Sequence, residues 1–386
     1  MLNRFSNLME RLRALNPRRD TPAAAQTPAQ IAQTIERALA KAGLRGPAAA
    51  NEPVAGTSTG PRAAQTRPVD DDNVIDVEFR TLEPEVRAPA QGQFMTRSYT
   101  NPAGMRDYKL YVPANLSARF GRPTALVVML HGCTQSPDDF AAGTRMNEMA
   151  EQLGMLVVYP QQTGRANTSQ CWNWFRPQDQ QRERGEPSLI AGIAREVASQ
   201  YDVAAGRIFV AGLSAGAAMA VILGQTYPDL FAAVGAHSGL AYGVAHDVAS
   251  ALGAMKGSAA MATPGIAAPA PAHSSRRTPT IVFHGDSDRT VVLSNGAAIV
   301  DQVTKHELSS GALRASTHAG TTGNGRSYTR QVFHDARQNP VAEYWVLHGS
   351  GHAWSGGSTS GSFTDPHGPD ASSEMVRFFR AQNAAG

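Results

Sequence analysis

The chain has 386 residues, enough for one large domain with additions or for two modest domains. Lysines and arginines number 35 against 32 acidic residues, and a net charge of +3 excludes a broadly basic nucleic-acid-binding protein. Hydrophobic residues make up 42%, enough for a sizeable core, and no apolar run approaches the length of a membrane-spanning helix. The two cysteines are too few for a disulfide scaffold or a four-thiolate zinc site, and they form at most one bridge.

Residues 1–20 carry apolar side chains at three- and four-residue steps, which predicts a short amphipathic helix with a basic polar face. This stretch has no continuous apolar segment and no small-residue cleavage site, so it is not a typical export signal. We therefore expect a cytoplasmic or granule-associated protein. A basic amphipathic helix can bind an anionic membrane or a lipid-coated particle. The alternative, a solvated helix or one docked on the domain, stays open.

Two regions have the composition of poorly ordered chain. Residues 1–93 contain few large apolar side chains among many Ala, Pro, Thr and Gln, so we expect a mostly disordered arm with short amphipathic helices. Residues 254–277 are of low complexity and predict a flexible insertion within a folded domain that spans residues 94–386.

In that domain, short apolar runs alternate with helical stretches. The runs predict strands over residues 108–112, 125–130, 155–159, 207–211, 232–237, 280–284 and 343–348. The stretches between and after them predict helices over residues 138–153, 188–201, 214–227, 292–303 and 372–380. Continuously apolar strands suit a parallel sheet that is covered on both faces. The predicted fold class is therefore α/β, with a mostly parallel, doubly wound sheet and helices on both faces.

A candidate nucleophile lies between a predicted strand and a predicted helix. The segment Gly212-Leu-Ser214-Ala-Gly216 has the G-x-S-x-G pattern, in which a sharp strand-to-helix turn exposes the serine hydroxyl. Gly212 and Gly216 remove the side chains that so tight a turn would crowd. Ser214 would stand at a helix N-terminus, where the peptide dipoles favour a developing anion. The alternative is a structural turn, but the strand before and the helix after favour the nucleophile.

A serine nucleophile needs an oxyanion hole made by backbone N–H groups. One donor is the N–H of the residue after the serine, Ala215, and the other comes from an earlier strand-end loop. That loop begins with His131-Gly-Cys133, so the N–H of Cys133 is the second candidate. We expect His131 to order the loop by hydrogen bonding rather than to act as a base.

In this fold the acid and the base follow the serine in that order. Asp286 and Asp288, in the loop after the strand at 280–284, are both candidates for the acid that orients the base, and we choose Asp288. His348 ends the last predicted strand, whereas His352 lies in a glycine-rich loop that can bring it over Ser214. We therefore expect His352 to be the general base.

The motifs together resemble the poly(3-hydroxybutyrate) depolymerase family of esterases, which is related to feruloyl and acetylxylan esterases. The resemblance covers about residues 95–380. It is carried by the segments His131-Gly-Cys133-Thr-Gln135, Cys171-Trp172-Asn-Trp174-Phe175, Gly212-Leu-Ser214-Ala-Gly216, His284-Gly-Asp286-Ser-Asp288, Gly349-Ser-Gly-His352-Ala-Trp354 and Thr364-Asp-Pro-His-Gly-Pro-Asp-Ala-Ser372.

This resemblance implies an α/β-hydrolase with no cofactor and no metal. It assigns the catalytic triad to Ser214, Asp288 and His352, and the oxyanion donors to Cys133 and Ala215. It also implies a disulfide between Cys133 and Cys171, although a cytosolic chain would more often keep both thiols reduced. Much of the resembled family is extracellular, which is the alternative to a cytoplasmic or granule-associated location.

Aromatic residues are candidates for the wall of a groove that holds an acyl or polymer chain. They are Trp172, Trp174, Phe175 and Trp354, with Trp172 and Trp354 the main candidates. Ordinary core packing is the alternative.

The function expected from the resemblance is hydrolysis of short-chain polyhydroxyalkanoate or its oligomers through an acyl-enzyme. The expected partners are a polyester or small ester, and through the N-terminal helix a polymer granule or membrane surface, but no nucleic acid. The alternative function is that of a carbohydrate esterase, which removes acetyl or feruloyl groups and uses the same triad. A hydrolase-fold binding protein would predict a broken triad, whereas all the members are present here.

Overall fold

The computed structural model describes residues 92–114, 116, 124–258, 277–323 and 325–382. The predicted arm over residues 1–93 and most of the predicted insertion therefore lie outside the described residues. At the edges of these regions, Gln93 begins a strand, and Ala254 and Met255 end a helix. The chain is thus still regular at residue 254, where the low-complexity composition predicted an insertion.

The described strands are β1 (Gln93–Asn101), β2 (Gly104–Val112), β3 (Thr124–Leu130), β4 (Leu156–Pro160), β5 (Val203–Leu213), β6 (Ala233–His237), β7 (Thr280–Gly285), β8 (Arg314–Thr321), β9 (Ser327–His334), β10 (Pro340–Leu347), β11 (Trp354–Ser355) and β12 (Thr364–Asp365). The described α-helices are α1 (Pro137–Thr144), α2 (Met146–Leu153), α3 (Gly185–Gln200), α4 (Ala215–Thr226), α5 (Val248–Met255), α6 (Ser294–Ser309) and α7 (Ala371–Gln382). A 3₁₀ turn spans Pro177–Gln180.

Ten of these strands form one sheet in the order β1-β2-β4-β3-β5-β6-β7-β10-β9-β8. In this order, the six adjacent strands β4, β3, β5, β6, β7 and β10 run parallel to one another. The strands outside them, β1 and β2 on one side and β9 and β8 on the other, pair antiparallel. Parallel strands end at a common edge of the sheet, so the loops after β3, β5, β7 and β10 meet there. Those loops carry the predicted site residues.

Alternate residues of the central strands face two separate cores. In β3, Leu126, Val128 and Leu130 belong to one core, whereas Val127 and Met129 belong to the other. Helices α3, α4 and α6 cover the first face, and α1, α2 and α7 cover the second. This confirms the predicted doubly wound fold, and it explains why the strands read as continuous apolar runs: both of their faces are buried.

Short-range capping signals set several helix starts. The side chain of Ser136 accepts a hydrogen bond from the N–H of Asp139, with Pro137 in the first turn of α1. Helix α5 begins with a capping box between Asp247 and Ser250. The side chain of Asp370 caps α7 by accepting from the N–H of Ser373 at 3.0 Å.

The single helix predicted over residues 138–153 is wrong, because the structure divides it into α1 and α2. Arg145, between them, has a left-handed backbone with φ of 54°. Its guanidinium donates to Asp370 at 2.8 Å and to the carbonyl of Gly356 at 3.0 Å. Both partners lie more than 200 positions away in the chain, so no local pattern could reveal the break.

The prediction also missed strands β1, β8 and β9, the two-residue strands β11 and β12, and helix α5. Strands β1 and β8 are the two edge strands of the sheet, where one side of the ladder is unpaired, and β9 lies next to β8; many side chains of all three are exposed or half-buried. Mixed polar sequences suit such positions and do not form an apolar run. Helix α5 spans only eight residues, three of them alanine, which is too short for a clear helical period in the sequence.

Candidate active site

Ser214 occupies the turn between β5 and α4, where its backbone has φ of 59° and ψ of −119°. A left-handed backbone at a non-glycine residue is strained, and such strain is concentrated at functional sites. The neighbouring glycines make this turn possible. A Cβ on Gly212 would lie 2.5 Å from the carbonyl of Gly216, and a Cβ on Gly216 would overlap the carbonyl oxygen of Leu130. The turn is held to β6 by the Ser214 N–H, which donates to the carbonyl of His237 at 2.9 Å.

The loop after β3 is tied down on both sides of Cys133. The side-chain oxygen of Gln135 accepts from the N–H of Gly132 at 2.9 Å, and the N–H of Thr134 donates to the carbonyl of Ser169 at 2.7 Å. Cys133 itself is bonded to Cys171, as the family resemblance implied. Gln135 was not predicted to have this role, although it lies in the motif that carried the resemblance.

The N–H groups of Cys133 and Ala215 are the two predicted oxyanion donors. Both residues line one cavity together with Ser214. Within the described residues, neither N–H donates a hydrogen bond to another group. Two unused donors beside a serine hydroxyl, one of them at a helix N-terminus, are the arrangement that binds a developing oxyanion.

His131 is buried beneath this loop and does not face the cavity. Its Nε2 accepts from the N–H of Gln162 at 3.1 Å, and its Nδ1 lies 2.8 Å from the carbonyl of Gly132. Burial lowers the pKa of His131 to about 4, and the ring is therefore neutral, with the proton on Nδ1. This geometry agrees with the expectation that His131 orders the loop by hydrogen bonding.

Asp288 and His352 form a buried pair. Asp288 Oδ2 lies 2.7 Å from His352 Nδ1, and Asp288 Oδ1 accepts from the N–H groups of Thr290 and Val291, both at 2.9 Å. Burial by itself raises the pKa of Asp288, but the hydrogen bond and the charge of His352 outweigh it, so this pKa lies below its ordinary value. An ionised Asp288 only accepts hydrogen bonds, which places the His352 proton on Nδ1 and leaves Nε2 free to take a proton.

Asp286 and His348 form a second pair of the same kind nearby. Asp286 Oδ2 lies 2.9 Å from His348 Nδ1, and the other ring nitrogen lies 2.9 Å from the hydroxyl of Thr329 on β9. The side chains are 33% and 40% exposed, against 0% and 5% for Asp288 and His352. Both nitrogens of His348 are thus occupied, and the pair ties two loops together at the surface.

The loop that carries His352 is held by groups that the sequence analysis did not single out. The carbonyl of Ser350 accepts from the N–H of Ser287 at 3.0 Å. This bond links the loop that carries His352 (the base loop) to the loop that carries Asp288 (the acid loop). The hydroxyl of Ser350 donates to Asp365 at 2.9 Å, and the guanidinium of Arg326 donates to the same carboxylate oxygen at 2.9 Å. Asp365 lies in the Thr364–Ser372 segment, and the family resemblance of that segment was the only feature of the sequence that pointed to this residue.

The structure does not place Ser214 and His352 in hydrogen-bond contact. Among the described residues, the Ser214 hydroxyl and His352 Nε2 have no hydrogen-bond partner. Catalytic hydrogen bonds are often long without substrate and shorten in the complex. His352, paired with Asp288, nevertheless lies at the same edge of the sheet as Ser214, because both follow the carboxyl ends of parallel strands.

A small cavity of about 40 Å³ opens beside Ser214. Apart from Ser214 and Thr290 its wall is apolar, and one side is the segment around the disulfide, including Trp174 and Phe175. A stripe of α5 with helical spacing, formed by Val248, Ala251, Leu252 and Met255, also lines the cavity. The described residues contain no group of three or more metal-binding side chains, and none of the described helices is long and apolar enough to cross a bilayer.

Trp172 and Trp354 are not in the cavity wall, which corrects the expectation for these two residues. Trp172 is fully buried and donates from Nε1 to the carbonyl of His131 at 3.1 Å. Trp354 is 1% exposed and donates from Nε1 to the hydroxyl of Ser372 at 3.1 Å. The indole of Trp172 thus supports the loop after β3 and that of Trp354 supports the start of α7, whereas Trp174 and Phe175 line the cavity.

Two buried histidines predict an acid-sensitive fold. Burial lowers the pKa of His131 to about 4 and that of His237 to about 3. In the unfolded chain a histidine takes up a proton near pH 6.5, so the unfolded state binds more protons below that pH. The stability that these rings contribute is complete above about pH 6.5 and is lost as the pH falls towards about 4. Because of His131 alone, we expect the free energy of unfolding to be about 2 kcal/mol lower at pH 5 than at pH 7.5.

Urea denaturation at the two pH values measures this loss. The His131→Gln variant should lose about 2 kcal/mol less than the wild type over the same interval, whatever its stability at pH 7.5. His318→Gln, at an exposed histidine of β8, is the matched control and should follow the wild type. Equal losses in all three proteins would contradict the prediction.

The chain is similar to curated esterases over much of its length. Poly(3-hydroxyalkanoate) depolymerase C of Paucimonas lemoignei is 31% identical over 264 residues, which are 66% of this chain and 59% of that protein. Probable acetylxylan esterase A of Neosartorya fischeri is 32% identical over 213 residues, which are 53% of this chain and 56% of that protein. The chain thus spans between half and two thirds of the length of these relatives.

The comparisons also confirm the fold and the predicted family. The structure of an acetyl xylan esterase from Aspergillus awamori superposes with a TM-score of 0.56 at 20% identity, covering 76% of this chain and all of the other. The fold is that of the α/β-hydrolases, as predicted. The family model described as esterase PHB depolymerase matches residues 106–331. Because this match covers more than half of the sequence, the chain belongs to the esterase PHB depolymerase family.

Proposed function

We propose that this protein is a serine esterase that hydrolyses poly(3-hydroxybutyrate), or another short-chain polyhydroxyalkanoate or its oligomers, through an acyl-enzyme. One observation carries the proposal: Ser214 and the two residues with unused N–H groups, Cys133 and Ala215, line one small apolar cavity. The buried Asp288–His352 pair lies at the same edge of the sheet. This set supplies a nucleophile, an oxyanion hole, a base and the group that orients the base.

The proposed reaction has two halves. Ser214 Oγ attacks the ester carbonyl carbon while its proton moves to His352 Nε2, and the N–H groups of Cys133 and Ala215 bind the resulting oxyanion. The bond from the carbonyl carbon to the leaving oxygen then breaks, and His352 gives its proton to the departing alcohol. Water attacks the acyl-enzyme by the same route, again losing a proton to His352. The acid is released, and Ser214 recovers its proton.

The size of the cavity supports a short acyl group. A water molecule needs roughly 10–15 Å³, so a cavity of about 40 Å³ accommodates about three or four heavy atoms. A 3-hydroxybutyryl group has that many heavy atoms beyond its carbonyl. The name of the Paucimonas relative supports a polyester substrate. The alternative is a carbohydrate esterase. The name of the Neosartorya relative favours it, and an acetyl group also fits the cavity.

Released acid distinguishes the two functions. The purified protein and its Ser214→Ala variant are incubated with amorphous poly(3-hydroxybutyrate) granules and, separately, with acetylated and feruloylated xylan. Hydroxybutyrate from the granules, absent with the variant, is the expected result. Acetate or ferulate from xylan, with the granules intact, would instead identify a carbohydrate esterase.

The proposal extends to a granule-associated location through the amphipathic segment at residues 1–20, which lies outside the described residues. Its support is the basic, apolar-faced sequence pattern alone. Deletion of residues 1–20 should lower the fraction of protein that sediments with granules while hydrolysis of a soluble ester is retained. Unchanged sedimentation would refute this part of the proposal.

A further inference from the structure

A buried carboxylate binds the segment between β4 and α3. Glu186, in the first turn of α3, is 4% exposed. Its Oε2 accepts from the backbone N–H of Asn173 at 2.7 Å, and its Oε1 accepts from the side-chain amide of Asn173 at 2.7 Å. The same Oε1 accepts from the side-chain amide of Gln162 and, at 3.3 Å, from the guanidinium of Arg106. Four donors thus converge on one carboxylate.

A chain of hydrogen bonds connects Glu186 with the loop after β3. Gln162 binds Glu186 through its side chain, and its backbone N–H donates to His131 Nε2 at 3.1 Å. The other ring nitrogen of His131 lies 2.8 Å from the carbonyl of Gly132, the residue before Cys133. A change at the carboxylate is therefore transmitted to the backbone that carries the Cys133 N–H.

A second connection reaches Cys133 through the disulfide. The side-chain amide of Gln162 also donates to the carbonyl of Cys171 at 2.9 Å, and Cys171 is bonded to Cys133. Asn173, which binds both oxygens of Glu186, is two positions after Cys171 in the chain. The carboxylate therefore holds Cys171 in place through Gln162 and through Asn173, and Cys171 in turn holds Cys133.

The stability of the fold does not by itself account for this charge. Removing a carboxylate from water is costly, and a buried ion pair often adds no more stability than apolar residues of similar volume. The side chains of Arg106 and Glu186 are only 10% and 5% exposed. Hydrogen bonds to a charged acceptor are shorter and stronger than neutral ones, so this carboxylate fixes its donors in defined positions.

We propose that Glu186 is a positioning residue for the oxyanion hole, which fixes the N–H of Cys133 relative to Ser214 without contact with the substrate. The inference rests on the proposed function, because that function assigns the oxyanion to the N–H groups of Cys133 and Ala215. A shifted N–H binds the developing oxyanion less well. The ester carbonyl of the ground state carries less charge, so the loss falls on kcat rather than on KM.

The substitution Glu186→Gln tests this role at nearly constant shape. An amide has one acceptor oxygen, so with that oxygen in the place of Oε1 its NH₂ group faces the N–H of Asn173. In the reverse orientation the NH₂ group faces the other three donors. We expect kcat for p-nitrophenyl butyrate to fall between about 10-fold and 100-fold, with KM changed less than about threefold.

A second readout reports on the oxyanion hole directly. Butylboronic acid forms an anionic, tetrahedral adduct with a serine hydroxyl and so resembles the intermediate of the reaction. Its inhibition constant should rise in Glu186→Gln by about the factor by which kcat/KM falls. A merely structural role would lower the unfolding temperature but leave kcat and boronate inhibition of the folded enzyme unchanged.

Glu343→Gln is the matched control, because Glu343 of β10 is also buried and also accepts from four donors. They are two guanidinium N–H groups of Arg330, one of Arg377 and the indole N–H of Trp345. These partners belong to β9, α7 and β10, and none of them lines the cavity. Glu343→Gln should lower the unfolding temperature to a similar extent and keep the wild-type kcat and boronate inhibition.

Gln162→Met tests the same connection if Glu186→Gln does not fold. It removes the amide that joins Glu186 to Cys171 at similar volume, and it should lower kcat by a smaller factor. Wild-type kcat and boronate inhibition in the folded variant, or an equal loss of kcat in Glu343→Gln, would overturn the positioning role. A wild-type protein that neither hydrolyses the ester nor binds the boronic acid would overturn the proposed function, so the two failures are distinguishable.

Discussion

Replacement of Ser214 by alanine should lower kcat/KM for a soluble short-chain ester by about 10⁴-fold or more. The variant lacks the nucleophile, and only the oxyanion donors and the cavity remain to assist water. We expect stability to change by no more than about 0.5 kcal/mol, because the hydroxyl makes no hydrogen bond within the described residues and alanine meets the same backbone strain at φ of 59°. Initial rates with p-nitrophenyl butyrate and thermal unfolding measure the two quantities.

A serine elsewhere in the domain provides the control. Ser188, in α3, is buried, its hydroxyl donates to the carbonyl of Gly185 at 2.8 Å, and it does not line the cavity. Ser188→Ala should lower the unfolding temperature slightly and keep the esterase activity. A folded Ser214→Ala protein with wild-type turnover would falsify the assignment of the nucleophile.

The largest contrast between two similar variants is expected at Asp288 and Asp286. Asp288→Asn should lower kcat about 10⁴-fold, because an amide in this position turns its NH₂ towards His352 and forces the proton onto Nε2. His352 would then face Ser214 with a donor instead of an acceptor. The backbone N–H groups of Thr290 and Val291, which bind Asp288 Oδ1, hold the amide in this orientation.

Asp286→Asn is the matched variant, since it alters the same residue type in the same loop and also faces a histidine. Its pair with His348 is partly exposed, and the far nitrogen of His348 is already bonded to Thr329. We expect less than about a tenfold loss of kcat, from loosening of a surface link. A larger loss with Asp286→Asn than with Asp288→Asn would transfer the role of acid to Asp286.

Long-range hydrogen bonds explain how loops far apart in the chain hold one geometry. Gln135 holds the loop after β3, which carries the oxyanion donor Cys133 (the oxyanion loop), and also donates to the carbonyl of Ser362 at 3.1 Å. Ser362 and Asp365 belong to the same late segment, and Asp365 holds the base loop through Ser350. One segment before α7 thus supports both the oxyanion loop and the base loop, which keeps them preorganised before substrate binds.

Much of this protein could be predicted from local sequence patterns. Apolar runs of strand length and the helical stretches between them predicted the central parallel strands, since burial on both faces imposes a pattern that is visible within a few residues. The strand-to-helix turn at Ser214 was readable for the same reason, because Gly212 and Gly216 are local requirements of the turn. The chain order of serine, acid and base then limited the acid to two candidates and the base to two.

Tertiary structure alone decided what depends on distant partners. It separated the Asp288–His352 pair from the Asp286–His348 pair by burial, and it moved Trp172 and Trp354 from the expected cavity wall into the core. It also divided α1 from α2 at Arg145. Each outcome is set by groups tens to hundreds of positions away in the chain, so the energies that fix it arise only when the sheet brings those groups together.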